Sequence, residues 1–73
     1  MTAPDLTLDV RGLSAPQPLE QCLEALTGLE PGQQLHMLID REPWPLFNIL
    51  ERDGYEYCCT FEETHFQVSI WHA

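Results

Sequence analysis

Residues 11–18 of this chain read Arg-Gly-Leu-Ser-Ala-Pro-Gln-Pro, and this stretch decides how the chain folds. It follows residues 6–10, Leu-Thr-Leu-Asp-Val, in which the apolar positions alternate as they do in a half-buried strand. Pro18 suits the first position of a helix. Because residues before proline avoid the α region, we expect Ala15 and Gln17 to be extended and the helix to begin near Pro18. The stretch is therefore predicted to join a strand to a helix.

The segment after this junction has the pattern of an amphipathic helix followed by a strand. Its apolar residues recur at helical spacing, and they are Leu19, Cys22, Leu23, Leu26 and Leu29. Residues 30–33, Glu-Pro-Gly-Gln, have proline and glycine at the central positions of a type II turn. Residues 35–39 alternate again, which predicts a second strand.

The second half of the chain predicts one more helix and two more strands. The helix is expected from Trp44 to about Arg52, with Gly54 supplying a left-handed cap after its end. The apolar positions alternate in residues 55–61 and again in residues 66–70, so we expect two strands joined by a short hairpin connection.

This order of elements predicts an α/β (α+β) two-layer sandwich of the form β-α-β-α-β-β. The strand–helix–strand start implies a parallel pair, whereas the two closing strands must be antiparallel to each other. Every strand alternates, so both helices should cover one face of a mixed four-stranded sheet. The 73 residues are expected to form a single domain, near the lower limit for a self-sufficient core.

The charge of the chain limits its partners. Twelve acidic residues stand against three arginines and no lysine, which gives a formal net charge of −9. Such a surface repels phosphate groups, so we expect neither nucleic acid nor a membrane as a partner. A protein with a basic surface is the more natural partner, although the acidity could serve solubility alone.

The sequence predicts a cytoplasmic protein without a cofactor. Residues 1–5 lack the basic start and apolar run of a secretion signal, and we expect them to be a frayed polar lead-in. Three cysteines, of which Cys58 and Cys59 are adjacent, do not suggest a disulfide framework and fit a reducing compartment. No sequence motif for a cofactor or for a zinc site is present in the chain.

Three motifs resemble the small domains of the TusA/SirA-like family. They are the Leu-Asp-x-Arg-Gly-Leu opening at residues 8–13, the Pro-x-Pro at residues 16–18 and the Leu-x-Pro-Gly turn at residues 29–32. The resemblance covers nearly the whole chain. It implies the same fold and a relation to sulfur carriers, in which a cysteine directly before Pro-x-Pro bears a persulfide. A helix N-terminus favours such a thiolate, but the matching position of this chain is Ala15.

Two further segments resemble a branch of these carriers that lacks the cysteine. Residues 40–46 match Asp-x-Glu-Pro-x-Pro-Leu, and residues 54–57 read Gly-Tyr-Glu-Tyr. Members of this uncharacterised branch are sometimes fused to, or encoded beside, haem or di-iron proteins. The resemblance implies a non-catalytic protein-interaction or ligand-binding module that kept its docking surface and lost its nucleophile. The predicted binding residues are Arg11, Ser14, Ala15, Pro16 and Trp44.

Two of these residues have alternative interpretations. Arg11 could bind a carboxylate or phosphate beside the start of the helix, or it could form a structural ion pair with Asp9 or Asp40. Trp44 could be an exposed aromatic anchor for a partner, but we expect it to be buried at the start of the second helix.

An alternative function is sulfur transfer or redox chemistry at Cys58. Alternation places Cys58 on the open face of the sheet, whereas Cys22 and Cys59 are expected in the core. The same count places His36 and His65 on the open face, so a weak Cys/His metal site is a third hypothesis. Trp71 and Leu38 also fall there and could form an apolar patch for a partner or a homodimer.

Overall fold

The computed structural model describes residues 4–73. They form four strands and two α-helices in the predicted order, as follows: β1 Leu6–Asp9, α1 Gln17–Leu26, β2 Leu35–Ile39, α2 Trp44–Arg52, β3 Tyr55–Glu62 and β4 His65–His72. The predicted two-layer α+β sandwich is therefore confirmed.

The strands form one mixed sheet in the order β1-β2-β4-β3. β1 and β2 are parallel, with Leu6 opposite Leu35, whereas β4 runs antiparallel to both of its neighbours. The last strand is therefore inserted between β2 and β3. This arrangement leaves β1 and β3 at the edges and puts β2 and β4 in the centre.

The core lies between the sheet and the helices. In β2, the side chains of Leu35, Met37 and Ile39 are buried, and the two between them are half-buried. The other fully or nearly fully buried apolar residues are Val10, Cys22, Leu26, Leu29, Leu46, Phe47, Leu50, Val68 and Ile70. The alternation of the sequence therefore predicts correctly which face of the sheet the helices cover.

Aromatic side chains pack α2 onto β3. The rings of Phe47 and Tyr57 stack with their centroids 4.6 Å apart. The ring of Trp44 contacts that of Phe47 edge to face, with the ring centroids 5.3 Å apart, yet 64% of the Trp44 surface is exposed. The expected burial of Trp44 is therefore wrong. Trp44 is the first residue of α2, and its side chain contacts Phe47 but stays mostly exposed.

The start of α1 differs from the prediction by one residue. The helix begins at Gln17, with Pro16 as its N-cap residue, so Gln17 is helical and not extended. Its N–H donates a hydrogen bond to the carbonyl of Ser14, with N···O 3.0 Å. This turn fixes Gln17 in spite of the restriction that Pro18 imposes on it. The Ala15–Pro16 peptide bond is cis.

The predicted turns have the expected geometry. The N–H of Gln33 donates to the carbonyl of Glu30 at 3.0 Å, and Gly32 has φ +86°, as a type II turn requires. Gly54 also has φ +86°, directly after the C-cap residue Asp53 of α2.

The part of the polar lead-in that the structure describes is anchored, and the expectation of fraying is wrong there. The Asp5 carboxylate accepts the backbone N–H of Gln34 at 3.0 Å, and the Gln33 side-chain amide donates to the Pro4 carbonyl at 2.7 Å. These two contacts tie Pro4 and Asp5 to the entrance of β2. Residues 1–3 of the predicted lead-in lie outside the described part.

A core substitution in α2 tests this packing. Leu50 is fully buried, so we expect Leu50→Ala to lower the free energy of unfolding by about 2–5 kcal/mol through lost burial and a residual cavity. Urea denaturation measures the change. The control is Asn48→Ala on the exposed face of the same helix, which should change the free energy by less than about 0.5 kcal/mol. Equal effects of the two substitutions would contradict the assignment of the core.

Candidate functional site

A cavity of about 670 Å³ lies where the parallel strands β1 and β2 end and both helices begin. One wall comes from the residues that follow β1, between Val10 and Leu19, and the other from residues 39–46, which begin at the last residue of β2. Met37 is the deepest part of the sheet to line it. Ligands of open α/β sheets commonly bind at the carboxyl ends of the strands, and this cavity has that position.

The two walls of the cavity have the same local sequence. Both helices start with Pro-x-Pro, in residues 16–18 for α1 and residues 43–45 for α2. In each case the first proline is the N-cap residue and the second lies in the first turn. Since proline has no N–H, neither second proline can donate a hydrogen bond at the mouth of the cavity. The repeated Pro-x-Pro-Leu is the sequence signal for residues 43–46, of which only Trp44 is among the predicted binding residues.

The lining is mostly apolar, and its rim carries exposed apolar side chains. Leu46 and Met37 are buried at the base. Leu13 lines the rim and is 38% exposed. Trp44 is not part of the lining, but its neighbours in sequence, Pro43 and Pro45, do line the cavity. Apolar concave sites with a few polar groups are typical of binding sites.

Three of the predicted binding residues, Ser14, Ala15 and Pro16, line the cavity. Ala15 is exposed and carries no group that can react, so it contributes a small apolar patch at the mouth. Ser14 shapes the wall through its backbone, whose carbonyl accepts the Gln17 N–H.

Arg11 lies outside this lining and pairs with Asp9. The Arg11 Nε and Nη2 atoms donate to the two carboxylate oxygens of Asp9 at 2.9 and 2.8 Å. The backbone N–H of Arg11 donates to the same carboxylate at 3.1 Å. These contacts lower the pKa of Asp9 to about 2, the side-chain hydrogen bond being the main cause. The structure therefore favours the ion-pair interpretation of Arg11.

Asp40 and Arg41 are the charged residues that line the cavity. A carboxylate oxygen of Asp40 accepts the N–H of Gly12 at 2.6 Å. This bond joins the loop after β1 to the loop after β2 and so fixes the distance between the two walls. Among residues 4–73, Arg11 and Arg52 form ion pairs with Asp9 and Asp53, whereas Arg41 forms none.

The open face of the sheet carries the other predicted residues, but it keeps them apart. His36 and Cys58 both lie opposite Ser69, on either side of β4, and are therefore two strand spacings, or about 9.5 Å, apart. His65 is four residues from Ser69 along β4, which corresponds to about 13 Å. Within the described residues 4–73, no group of three His, Cys, Asp or Glu side chains could hold a metal ion. The structure therefore does not bring His36, Cys58 and His65 together as a three-ligand site.

The predicted apolar patch on the open face is also interrupted. Leu38 lies opposite Gln67, and Trp71 lies opposite Glu56, to which its indole N–H donates at 2.9 Å. The polar pair of His36 and Ser69 occupies the intervening row. A continuous patch of Leu38 and Trp71 is therefore not formed.

The three cysteines differ in exposure as predicted. Cys58 is exposed, Cys22 is buried, and Cys59 is half-buried beside the core. Burial raises the pKa of the Cys22 thiol to about 12. Partial burial, and then the charge of Glu42 and the neighbouring Cys58, raise the pKa of Cys59. Cys58 is thus the accessible thiol of the described chain.

The chain is a small α+β sandwich domain with a mostly apolar cavity at the ends of its two parallel strands. The chain belongs to the family described as uncharacterized conserved protein (DUF2249), whose sequence model matches residues 7–72. The match includes both Pro-x-Pro segments and all four strands except the first residue of β1. Neither a curated protein nor a solved structure matches the chain. No helix in residues 4–73 has the length and apolar character that crossing a membrane requires.

The Arg11–Asp9 pair predicts a dependence of stability on pH. Because the pKa of Asp9 is lowered from 3.8 to about 2 in the folded chain, its contribution is present above pH 3.8 and is lost as the pH falls through about 2. We expect wild type to unfold at a higher urea concentration than Asp9→Asn near neutral pH and at the same concentration below the folded pKa. Since both side chains are exposed, high salt should shrink the difference. A difference that grew in acid would contradict this assignment.

Thiol alkylation tests the cysteine environments. In the folded protein, we expect iodoacetamide to modify Cys58 first and Cys59 more slowly, because partial burial restricts Cys59 and raises its pKa. Cys22 should react only after denaturant is added, since it is buried and protonated. Peptide mapping by mass spectrometry measures the order. Modification of Cys22 before Cys58 would contradict the described burial.

Proposed function

We propose that this protein is an interaction module, which docks a partner protein without catalysis at the cavity between its two Pro-x-Pro segments. The observation that carries the proposal is the cavity itself, a mostly apolar recess of about 670 Å³. Its volume suits a large side chain or a small ligand group. An apolar side chain of the partner fills the recess, and binding gains free energy from the apolar area removed from water.

The resemblance to TusA/SirA-like sulfur carriers supports the same surface. The position that corresponds to the carrier cysteine is Ala15, at the mouth of the cavity. An alanine there cannot carry sulfur, so the ancestral delivery site becomes a site that only binds. Arg11 supports this binding surface indirectly, because the ion pair between Arg11 and Asp9 orders the loop that leads to Ala15.

The exposed side chains near the cavity define the partner further. Leu13 at the rim of the cavity and Trp44 beside it in the chain segment 43–45 are large apolar residues that remain exposed, and tryptophan is enriched among residues that dominate binding energy. The net charge of −9 favours a partner with a basic surface, which electrostatic attraction would bring in faster at low salt. The partner is therefore proposed to present an apolar side chain within basic surroundings.

Sulfur transfer at Cys58 is a second candidate function, and the exposure of that thiol favours it. A persulfide on Cys58 would appear as one added sulfur atom in the intact mass of protein purified without reductant. We expect that mass to be absent. Its presence would replace the docking proposal with a carrier that uses the open face of the sheet.

Photo-crosslinking with a paired blocking variant tests the docking proposal. A photoreactive amino acid replaces Trp44 in one version of the protein and Thr27, exposed after the far end of α1, in another. We expect the version labelled at Trp44 to give a discrete crosslinked partner in the host cell and the version labelled at Thr27 to give none. Filling the mouth with Ala15→Phe should reduce that crosslink at least about tenfold, since the side chain then occupies the recess.

The control for the blocking variant is Glu24→Phe, which adds the same ring to the exposed side of α1 away from the cavity. It should leave the crosslink at Trp44 unchanged. Equal loss with both variants, or an undiminished crosslink with Ala15→Phe, would show that the cavity is not the docking site.

A further inference from the structure

Three side chains on the open face of the sheet form a continuous hydrogen-bonded series. The Ser69 hydroxyl lies 2.9 Å from Nδ1 of His36, and Nε2 of the same ring lies 3.0 Å from a carboxylate oxygen of Asp5. Ser69 is in β4, His36 is in β2, and Asp5 precedes β1. The three residues are distant in sequence, and the sheet brings them together.

The carboxylate end of the series is fixed and charged. Asp5 uses one oxygen for His36 and the other for the backbone N–H of Gln34 at 3.0 Å. These two hydrogen bonds, that with His36 first, lower the pKa of Asp5. An ionised Asp5 can only accept hydrogen bonds, so in neutral His36 the proton lies on Nε2 and donates to Asp5. Nδ1 then has a free lone pair, which accepts the proton of the Ser69 hydroxyl.

This order of groups is that of a nucleophile, a general base and a residue that orients the base. Such a set is identified by its geometry and by the roles of its members, whatever the fold that carries it. The open face is not covered by either helix, and Ser69 and His36 are only half-buried. An acyl donor can therefore reach the hydroxyl from solvent.

We propose that Ser69 is a nucleophile that accepts an acyl group from activated esters, with His36 as its general base and Asp5 as a positioning residue. This activity is separate from docking at the cavity, because the two sites lie on opposite faces of the sheet. The donors are aryl esters and thioesters, whose leaving groups depart readily.

The reaction is an acyl transfer without oxidation or reduction. The Ser69 oxygen forms a bond to the carbonyl carbon of the donor while Nδ1 of His36 takes the hydroxyl proton. The tetrahedral intermediate then breaks its bond to the leaving oxygen or sulfur, and the imidazolium returns the proton to that leaving group. The products are an ester of Ser69 and a free phenol or thiol, and neutral His36 is restored.

The location of Ser69 predicts that acylation of its hydroxyl is faster than hydrolysis of the resulting acyl-serine. β4 is paired on both sides, to β2 and to β3, so its backbone N–H groups are committed to the sheet. They cannot stabilise an oxyanion as free N–H groups do in acyl-transfer enzymes, where one such donor contributes about 10²–10³ in rate. Only activated donors should react, and the acyl-serine should accumulate.

Acetylation by p-nitrophenyl acetate tests the proposal in the whole chain with Cys58→Ala, which removes the exposed competing thiol. The chain has no lysine, so amine acetylation is confined to the N-terminus. We expect release of p-nitrophenol together with one acetyl group that peptide mapping assigns to Ser69. Ser69→Ala should abolish that adduct, and His36→Gln should slow its formation at least about 100-fold.

Two controls separate this chemistry from structural effects. Ser14 is an exposed serine for which no side-chain hydrogen bond to a histidine occurs among the described residues, and it should remain unmodified. Asp5→Asn should slow acetylation about tenfold or more, and the ¹⁵N chemical shifts of His36 should show that the proton has partly moved to Nδ1. Urea unfolding of each variant establishes that the chain remains folded.

The proposal is overturned if Ser69 is acetylated no faster than Ser14. It is also overturned if His36→Gln, while folded, reacts at the rate of the parent chain. If Asp5→Asn slows acetylation without moving the His36 tautomer, Asp5 is not the positioning residue.

Discussion

The alternation of side chains along β2 is the constraint on which the rest of the structure depends. β2 is central, with β1 parallel on one side and β4 antiparallel on the other. Because Leu35, Met37 and Ile39 must face the helices, the intervening His36 and Leu38 must face the open side. A shift by one residue would exchange the two faces and bury an imidazole in the core. The register of β2 therefore fixes both surfaces of the domain.

Proline controls the other feature of functional interest, the cavity. A helix that began directly after β1 or β2 would place its first turn against the end of the sheet. Here each helix begins within a Pro-x-Pro segment, and the residues before that segment are non-helical. The bond between Asp40 and the N–H of Gly12 joins the two loops that result. The cavity is the space that the loops enclose above Met37, and it exists because neither helix extends over it.

Local patterns predicted the elements and the faces, and they failed where a side chain depends on its tertiary surroundings. The bounds of α2 and the buried alternation of β2 follow from spacing alone. The exposure of Trp44 does not, since the first residue of a helix has no preceding turn to cover it and its environment depends on where the sheet ends. The restriction that Pro18 imposes predicts an extended Gln17, but the turn that Ser14 closes makes this residue helical.

The sequence does not predict the series of Ser69, His36 and Asp5, because the series depends on the topology of the sheet. Alternation placed His36 on the open face, but its neighbours depend on the order of the strands and on their register. Inserting β4 beside β2 puts Ser69 opposite His36, and the contact of Asp5 with Gln34 brings a carboxylate to the other side of the ring. Adjacent residues of β2 thus lie on different surfaces, since Met37 lines the cavity and His36 is the centre of the polar series. Because they point to opposite faces of one sheet, a group bound in the cavity cannot touch Ser69. The two proposed sites can therefore be altered independently by substitution.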